Sequence, residues 1–304
     1  MNKFYIFNTS LFPNHGTHII SNRKLSKGFE QNSYEIIEID DNNLSMVENK
    51  RGNIIILSNF MDFDKNMDQI IEFSKKYDQI YYILWCWFHI QNIPFKYWVH
   101  TFQEYKYEPE NIEYKNLYLR MQELTEQNKF IPYCFSSYID PLSNFKEKNA
   151  IKKEIDVLYI GTHYELKTLS VIKKQNFNHF IHLSSGGLNA ITGNLFEQYY
   201  RKSKIVLGFM CPLNNASHTV TERIWEALSF GSLVITNSKT AEKMTDGVVV
   251  YYKDIDDLLE KIKFYLENEE ERLKKIEKGY DIFMSERNYK KNAKDFIKHS
   301  NSLL

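Results

Sequence analysis

Short apolar runs alternate with longer amphipathic stretches along most of the chain. Residues 3–7, 34–39, 54–57 and 79–85 read as strands, and 131–133 as a further one. Between them the spacing predicts helices over 17–31, 66–77 and 116–129, the first with Ile19, Ile20, Leu25 and Phe29 turned inward. Residues 92–115 have no clear period and suit a strand and a long loop. Strand, loop, helix, strand is the grammar of a parallel sheet. Residues 136–154 then turn polar and charged around the breaker Pro141, which places a domain boundary there and divides the chain into 1–145 and 146–287. The second part repeats the grammar, with strands over 155–160, 178–183, 204–209 and 247–252 and helices over 164–175 and 194–203. A helix from about Ile255 carries Leu258, Leu259, Ile262 and Leu266 on one face, and a last helix starts at Asn288.

Residues 219–236, T-V-T-E-R-I-W-E-A-L-S-F-G-S-L-V-I-T, are the most informative stretch. Val220, Ile224, Ala227 and Leu228 recur at the spacing of one helix face, and Thr219 with Glu222 three positions later predicts a capping box. Gly231 is placed to end the helix, because glycine accepts a left-handed conformation without a Cβ penalty. Residues 233–235 then suit a strand covered on both faces. Glu222 and Glu226 are one turn apart and share a face. The cap accounts for Glu222. Glu226 caps nothing, so it either points to solvent or holds a ligand hydroxyl.

The segment R-I-W-E-A-L-S-F-G-S-L-V-I-T resembles the R-x-F-E-A-L-A-x-G-x-L-x-x-T segment of GT-B glycosyltransferases, in particular the family 1-like group similar to spore-maturation-type glycosyltransferase-like proteins. I-D-V-L-Y-I-G over 155–161, Y-Y-R-K-S-K-I-V-L-G-F before the segment, G-V-V-V-Y-Y-K-D-I-D-D-L-L-E-K-I-K-F-Y-L after it and the closing N-Y-K-K-N-A-K-D-F-I extend the resemblance to roughly residues 130–300. It implies an α/β fold of two Rossmann-like domains facing a central cleft, with residues 288–304 crossing back to the N-terminal domain. It also implies a nucleotide-sugar donor, a hydroxyl acceptor on a glycan, glycolipid or protein, and no metal or other cofactor.

Residue by residue, the resemblance places Glu226 on the ribose hydroxyls of the donor. It places Lys167, six residues after Gly161, on the diphosphate, and Arg223 on the phosphate or as a brace for the loop; Arg201 is a weaker candidate. His89 stands where retaining members have a histidine that contacts the donor sugar. The chain departs from the pattern at His218, eight positions before Glu226, where many retaining members carry a second glutamate. Histidine supplies no carboxylate there, though it donates to a phosphate or a sugar hydroxyl. That leaves both stereochemical outcomes open, and with them a catalytically inactive binding or scaffold protein on the same fold. An inverting route needs a general base in the N-terminal domain, where His89, His15 or Asp62 are the candidates.

Chemistry alone supports part of this. A departing diphosphate builds negative charge, which a helix N-terminus beginning at Thr219 and nearby cations can stabilise. His15 and Gly16 follow the first strand, where open parallel sheets collect ligands, and are otherwise a surface loop. The aromatic W-C-W-F-H over 85–89 is either a packed cluster or a strand end that aims His89 at the cleft. Ser184, Ser185, Gly186 and Gly187 form either a phosphate cradle or a plain turn, since they match no phosphate-loop pattern. Asp254 and Asp256 resemble a metal-binding D-x-D but fit a helix N-cap better.

Lysine plus arginine equals aspartate plus glutamate at 39 each, which argues against a nucleic-acid partner. Cys86, Cys134 and Cys211 are odd in number and far apart, as free thiols in a reducing compartment would be. The opening residues lack the apolar core of a signal peptide, and the most apolar run, 80–90, is shorter than the ~20 residues that span a bilayer. A cytoplasmic location without a transmembrane segment is therefore expected; nothing in the sequence bears on oligomeric state.

Overall fold

The computed structural model describes residues 1–7, 25–39, 44–48, 50, 53–57, 75, 80–85, 98–101, 130–132, 151–161, 165–184, 189–191, 193–216, 218, 220–286 and 288–302. They fall into two compact units, Met1–Tyr138 with Asn288–Leu304, and Ile139–Arg287.

The first unit contains strands β1 (Asn2–Phe7), β2 (Tyr34–Ile39), β3 (Ile54–Leu57), β4 (Ile80–Trp85), β5 (Trp98–Thr101) and β6 (Phe130–Pro132), in the order β2-β1-β3-β4-β5-β6. Every pairing is parallel. Phe4, Tyr5 and Ile6 are buried in succession, as strands covered on both faces require. Phe4 stacks on Phe29 of the helical residues 25–30 with ring centres 3.8 Å apart. Phe29 in turn meets Phe296 of the final helix. That contact needs close backbones: a β-carbon at Gly28 would lie 2.2 Å from the carbonyl oxygen of Tyr289. Asn32 Nδ2 closes the same junction by donating to the carbonyls of Gly28 and Lys290.

The second unit contains β7 (Ile155–Gly161), α1 (Leu166–Lys173), β8 (His179–Leu183), α2 (Gly193–Arg201), β9 (Ser203–Leu207), α3 (Pro212–Ala216), α4 (Glu222–Ser229), β10 (Leu233–Thr236), α5 (Lys239–Met244), β11 (Val250–Tyr251), α6 (Ile255–Glu267) and α7 (Glu269–Glu286). Helix α8 (Tyr289–Ser302), which carries Phe296, belongs to the first unit. The second sheet is also parallel, in the order β11-β10-β9-β7-β8. Counted from its own first strand, this is the winding of the first sheet without that sheet's last strand. The chain is therefore two Rossmann-like α/β units of the same topology.

Side chains alternate across the second sheet. Val157, Tyr159, Ile205, Leu207, Leu233 and Ile235 share one core cluster with Leu169, Ile172, Leu258 and Ile262 of the helices. The other face takes α4: a β-carbon at Gly208 would touch Val234 and Ile224. Helix α7 packs beside α4, where a β-carbon at Gly279 would lie 2.7 Å from Leu228.

Three features depart from the sequence reading. Helix α4 starts at Glu222, so Glu222 is its first residue rather than its third and is out of register for a capping box. Strand β11 is two residues long because the amides of Val248 and Val249 bond to Thr245 in the turn that ends α5. Helices α3, α5 and α7 were not expected. Ser238, which caps α5 through its hydroxyl, and the Glu269–Glu271 run opening α7 were their available signals.

Two predictions follow from packing and charge. Gly28→Ala forces backbone apart where backbone meets backbone, so it should cost at least ~1–3 kcal/mol in urea unfolding. Lys153 Nζ donates to the Gly231 carbonyl at 2.7 Å in a site where burial, then the charges of Arg272 and Arg201, lower its pKa to about 7. The unfolded chain then binds the extra proton between about pH 7 and the ordinary lysine value. This group's penalty is complete below pH 7 and fades as pH rises, so the stability of the wild type relative to Lys153→Met should climb from about pH 7 toward pH 9.

Candidate functional site

Open parallel sheets bind ligands beyond the carboxyl ends of their strands, where the strand order reverses. In the second sheet that point lies between β7 and β9. Gly161 ends β7, and residues 208–210 leave β9.

Arg223 of α4 bridges the two. Its Nη1 donates to the Phe209 carbonyl at 3.2 Å, and its guanidinium lies 5.4 Å from the centre of the Tyr159 ring. A β-carbon at Gly161 would come within 2.6 Å of Arg223 Nη2 and 2.8 Å of the Tyr159 hydroxyl. Glycine is thus needed at 161 for the space that the guanidinium fills. Ser184 holds the β8 side of the crevice by donating its amide to the Gly161 carbonyl at 2.8 Å.

Helix α4 buries Ile224, Trp225, Ala227, Leu228 and Ser229 almost completely, and Glu222 nearly so. Arg223 and Glu226 remain half-buried, and residues three apart are neighbours on a helix surface. Both act electrostatically on the buried Tyr200. Burial raises the pKa of its phenol, the charge of Glu226 adds to that effect and the charge of Arg223 opposes it. Beyond its last residue α4 closes with Gly231 in the left-handed region (φ 73°), Gly231 N donating to Leu228 O and Ser232 N to Ala227 O.

Around this pair, side chains pin the loops. Thr236 Oγ1 donates to the Gly208 carbonyl at 2.6 Å, and Asn237 pairs with both backbone groups of Met210. His218 has a left-handed backbone (φ 54°), with Nδ1 2.8 Å from Thr240 Oγ1 on α5. Thr221, the N-cap of α4, is extended and bonds no helix amide through its side chain.

Of the residues singled out by sequence, Gly161 and Arg223 meet in the carboxyl-end crevice, and Glu226 lies one turn further along α4. Lys167 is exposed in the first turn of α1, the helix that follows β7. Arg201 lies elsewhere: it pairs with Glu197 at the end of α2, leading into the amino end of β9. Asp254 Oδ1 accepts from the Asp257 amide as the N-cap of α6, and no metal-ligating cluster exists among the described residues. His15, His89, Asp62, Thr219 and residues 185–187 lie outside the described residues. Tyr159, Tyr200, Asn237 and Thr240 escaped the sequence reading. For the tyrosines the sequence offered no signal beyond their apolar setting, whereas Thr236 and Asn237 form a polar step directly after a strand.

Residues 156–298 match the family model described as glycosyl transferase-like. The second unit thus carries a glycosyl transferase-like domain, and the two Rossmann-like units have the fold of GT-B glycosyltransferases. None of the curated proteins matches the sequence significantly. Among solved structures, an alpha-glucosyltransferase in complex with UDP and a 13-mer DNA containing a HMU base is 11% identical with a TM-score of 0.64, covering 98% of this chain and 99% of that one. A complex of an alpha-glucosyltransferase with UDP and a 13-mer DNA containing a central A:G mismatch is 12% identical with a TM-score of 0.56, covering 97% and 99%. The glycosyltransferase SnogD from Streptomyces nogalater is 8% identical with a TM-score of 0.48, covering 99% and 100%. At these identities the likeness concerns the fold. No helix among the described residues is long and apolar enough to cross a membrane.

Thr236 ties the loop after β9 to the end of β10, so Thr236→Val should leave the buried Gly208 carbonyl and Ser238 amide without their shared partner. The expected loss is ~1–3 kcal/mol in thermal or urea unfolding, with faster amide exchange at Met210.

Proposed function

We propose that the chain is a glycosyltransferase that moves a sugar from a uridine diphosphate donor to a hydroxyl of a glycan, glycolipid or protein, without a metal ion. The observation that carries this reading is the Arg223–Glu226 pair, a cation and a carboxylate left accessible on a helix that is otherwise buried at the switch point of the sheet. In this reading Glu226 accepts from the ribose hydroxyls. Arg223, Lys167 and the amino end of α4, with Thr219, hold the diphosphate, and His218 donates to a phosphate or sugar oxygen. Gly161 keeps the floor of the crevice low enough for both guanidinium and ligand.

The bond from the anomeric carbon to the diphosphate oxygen breaks as one to the acceptor oxygen forms. The acceptor's proton passes to a base, for which His89 and His15 are the candidates. Negative charge then grows on the leaving diphosphate, where fixed cations and helix amides lower the barrier most. The UDP in the two alpha-glucosyltransferase complexes supports the choice of base. Their DNA is not carried over to this chain, because the balance of 39 cationic and 39 acidic side chains gives no excess of positive charge for a phosphate backbone. The second reading, an inactive binding protein on this fold, is favoured by His218, which holds the place of a glutamate and is engaged with Thr240.

Thermal shift against UDP-, GDP-, dTDP- and CMP-sugars, with and without EDTA, tests the donor site. UDP-sugars should raise Tm irrespective of EDTA. Glu226→Ala should weaken donor binding at least tenfold while unfolding near the wild-type temperature without ligand, and Gly161→Ala should weaken it as the guanidinium is displaced. Stabilisation by UDP-sugars without release of UDP on any acceptor would select the inactive binding protein, and no shift with any donor would sink the donor site.

A further inference from the structure

The amino-terminal edge of the second sheet carries a concentration of charge that the donor site does not use. A cavity of about 420 Å³ opens there, between the segment leading into β7, the start of β9 and the first turns of α7. Lys152, Lys153, Lys204 and Arg272 line it together with Glu269, against an apolar wall that includes Ile276.

The charges do not balance. Arg272, 3% exposed, places Nη2 3.0 Å from Glu269 Oε1 and bonds the Tyr265 carbonyl through Nη1. Lys204 pairs with Asp156 at 2.6 Å, and Asp156 also faces Arg272. Among the described residues Lys153 bonds the Gly231 carbonyl, while Arg272 and Arg201 both press positive charge on it. Arg201 spends its Nη2 on Glu197, and its buried Nε has no partner. Four lining cations thus face two carboxylates, Glu269 and Asp156, in a pocket partly walled by hydrocarbon. Buried charge is tolerated when paired, so the arrangement is complete only with an anion. An anion bound beside Lys153 would oppose the effect of burial and favour its ammonium form.

We propose that this pocket is a binding site for a small phosphate-bearing anion, held by Lys153 and Arg272 inside and by Lys152 and Lys204 at the mouth. Its volume suits a ligand of metabolite size. Side chains hold the anion; the start of α7 does not, because Glu269, Glu270 and Glu271 occupy that turn. The site lies at the opposite end of β7 from Gly161, about 20 Å away by strand rise, so it is independent of the donor reading. Occupancy would stabilise the second unit without touching the chemistry.

Calorimetric titration of the intact chain with sodium sulfate and with sodium phosphate, against sodium chloride at matched ionic strength, tests the proposal. Sulfate is the cleaner probe near pH 7.5 because it does not titrate there. Saturable sulfate binding is expected, with uptake of a fraction of a proton as Lys153 recovers its charge, read from two buffers of different ionisation enthalpy. Lys153→Met should abolish both heat and proton uptake. Lys152→Ala, a change at an exposed position, should weaken binding several-fold, and Arg223→Ala should leave it unchanged. Glycerol phosphate and phosphatidic-acid vesicles then separate a soluble ester from a lipid headgroup, and binding of either supports the site. Absence of saturable heat, binding that survives in Lys153→Met, or binding lost in Arg223→Ala and kept in Lys153→Met would overturn the proposal.

Discussion

The guanidinium of Arg223 fills the crevice between the ends of β7 and β9, and much of the second unit is arranged around that placement. It requires a residue without a side chain at 161, the ring of Tyr159 beneath it and a free carbonyl at Phe209. Two of these requirements fall on β7 and the third on the segment after β9, so one side chain of α4 touches the ends of two neighbouring strands. A planar, permanently charged group suits this role, because it can bond a carbonyl with one edge and leave another for an anion.

Helix α4 can supply that group because it is held so completely. With Ile224, Trp225, Ala227 and Leu228 buried and Gly231 closing its end, the helix has little freedom to roll. The Thr236–Gly208 and Asn237–Met210 bonds then lock the loops beside it. A site built on rigid elements keeps its geometry between ligands, which matters most where charge must be met as it develops. At the carboxyl ends of the strands Arg223 occupies the crevice, while at the amino ends Lys153, Lys204 and Arg272 line a cavity.

Much of the architecture was legible in the sequence. Runs such as 34–39, 54–57 and 155–160 became strands within a residue of their expected limits, because aliphatic and aromatic residues of high strand propensity dominate each of them. The inward face of α4 was readable from its apolar spacing. Its start was not, since Thr219 and Glu222 have the spacing of a capping box whichever residue begins the helix, and tertiary packing chose Thr221 as the cap. Asp254 read correctly as a cap, whereas Arg201 looked like a phosphate ligand until the topology placed it at the other end of the sheet.

The sequence by itself determined the order of elements, the burial of the strands, the closing glycine of α4 and the presence of Arg223 and Glu226 on one helix. These are local properties, carried by periodicity and by the backbone freedom of single residues. Only the tertiary structure decided that Gly161 faces Arg223, that Arg223 and Glu226 act on the buried Tyr200, and that Lys153 feels the charges of Arg272 and Arg201. Those relations join residues tens of positions apart. They depend on strand order and on which atoms are withdrawn from water, neither of which a linear pattern contains.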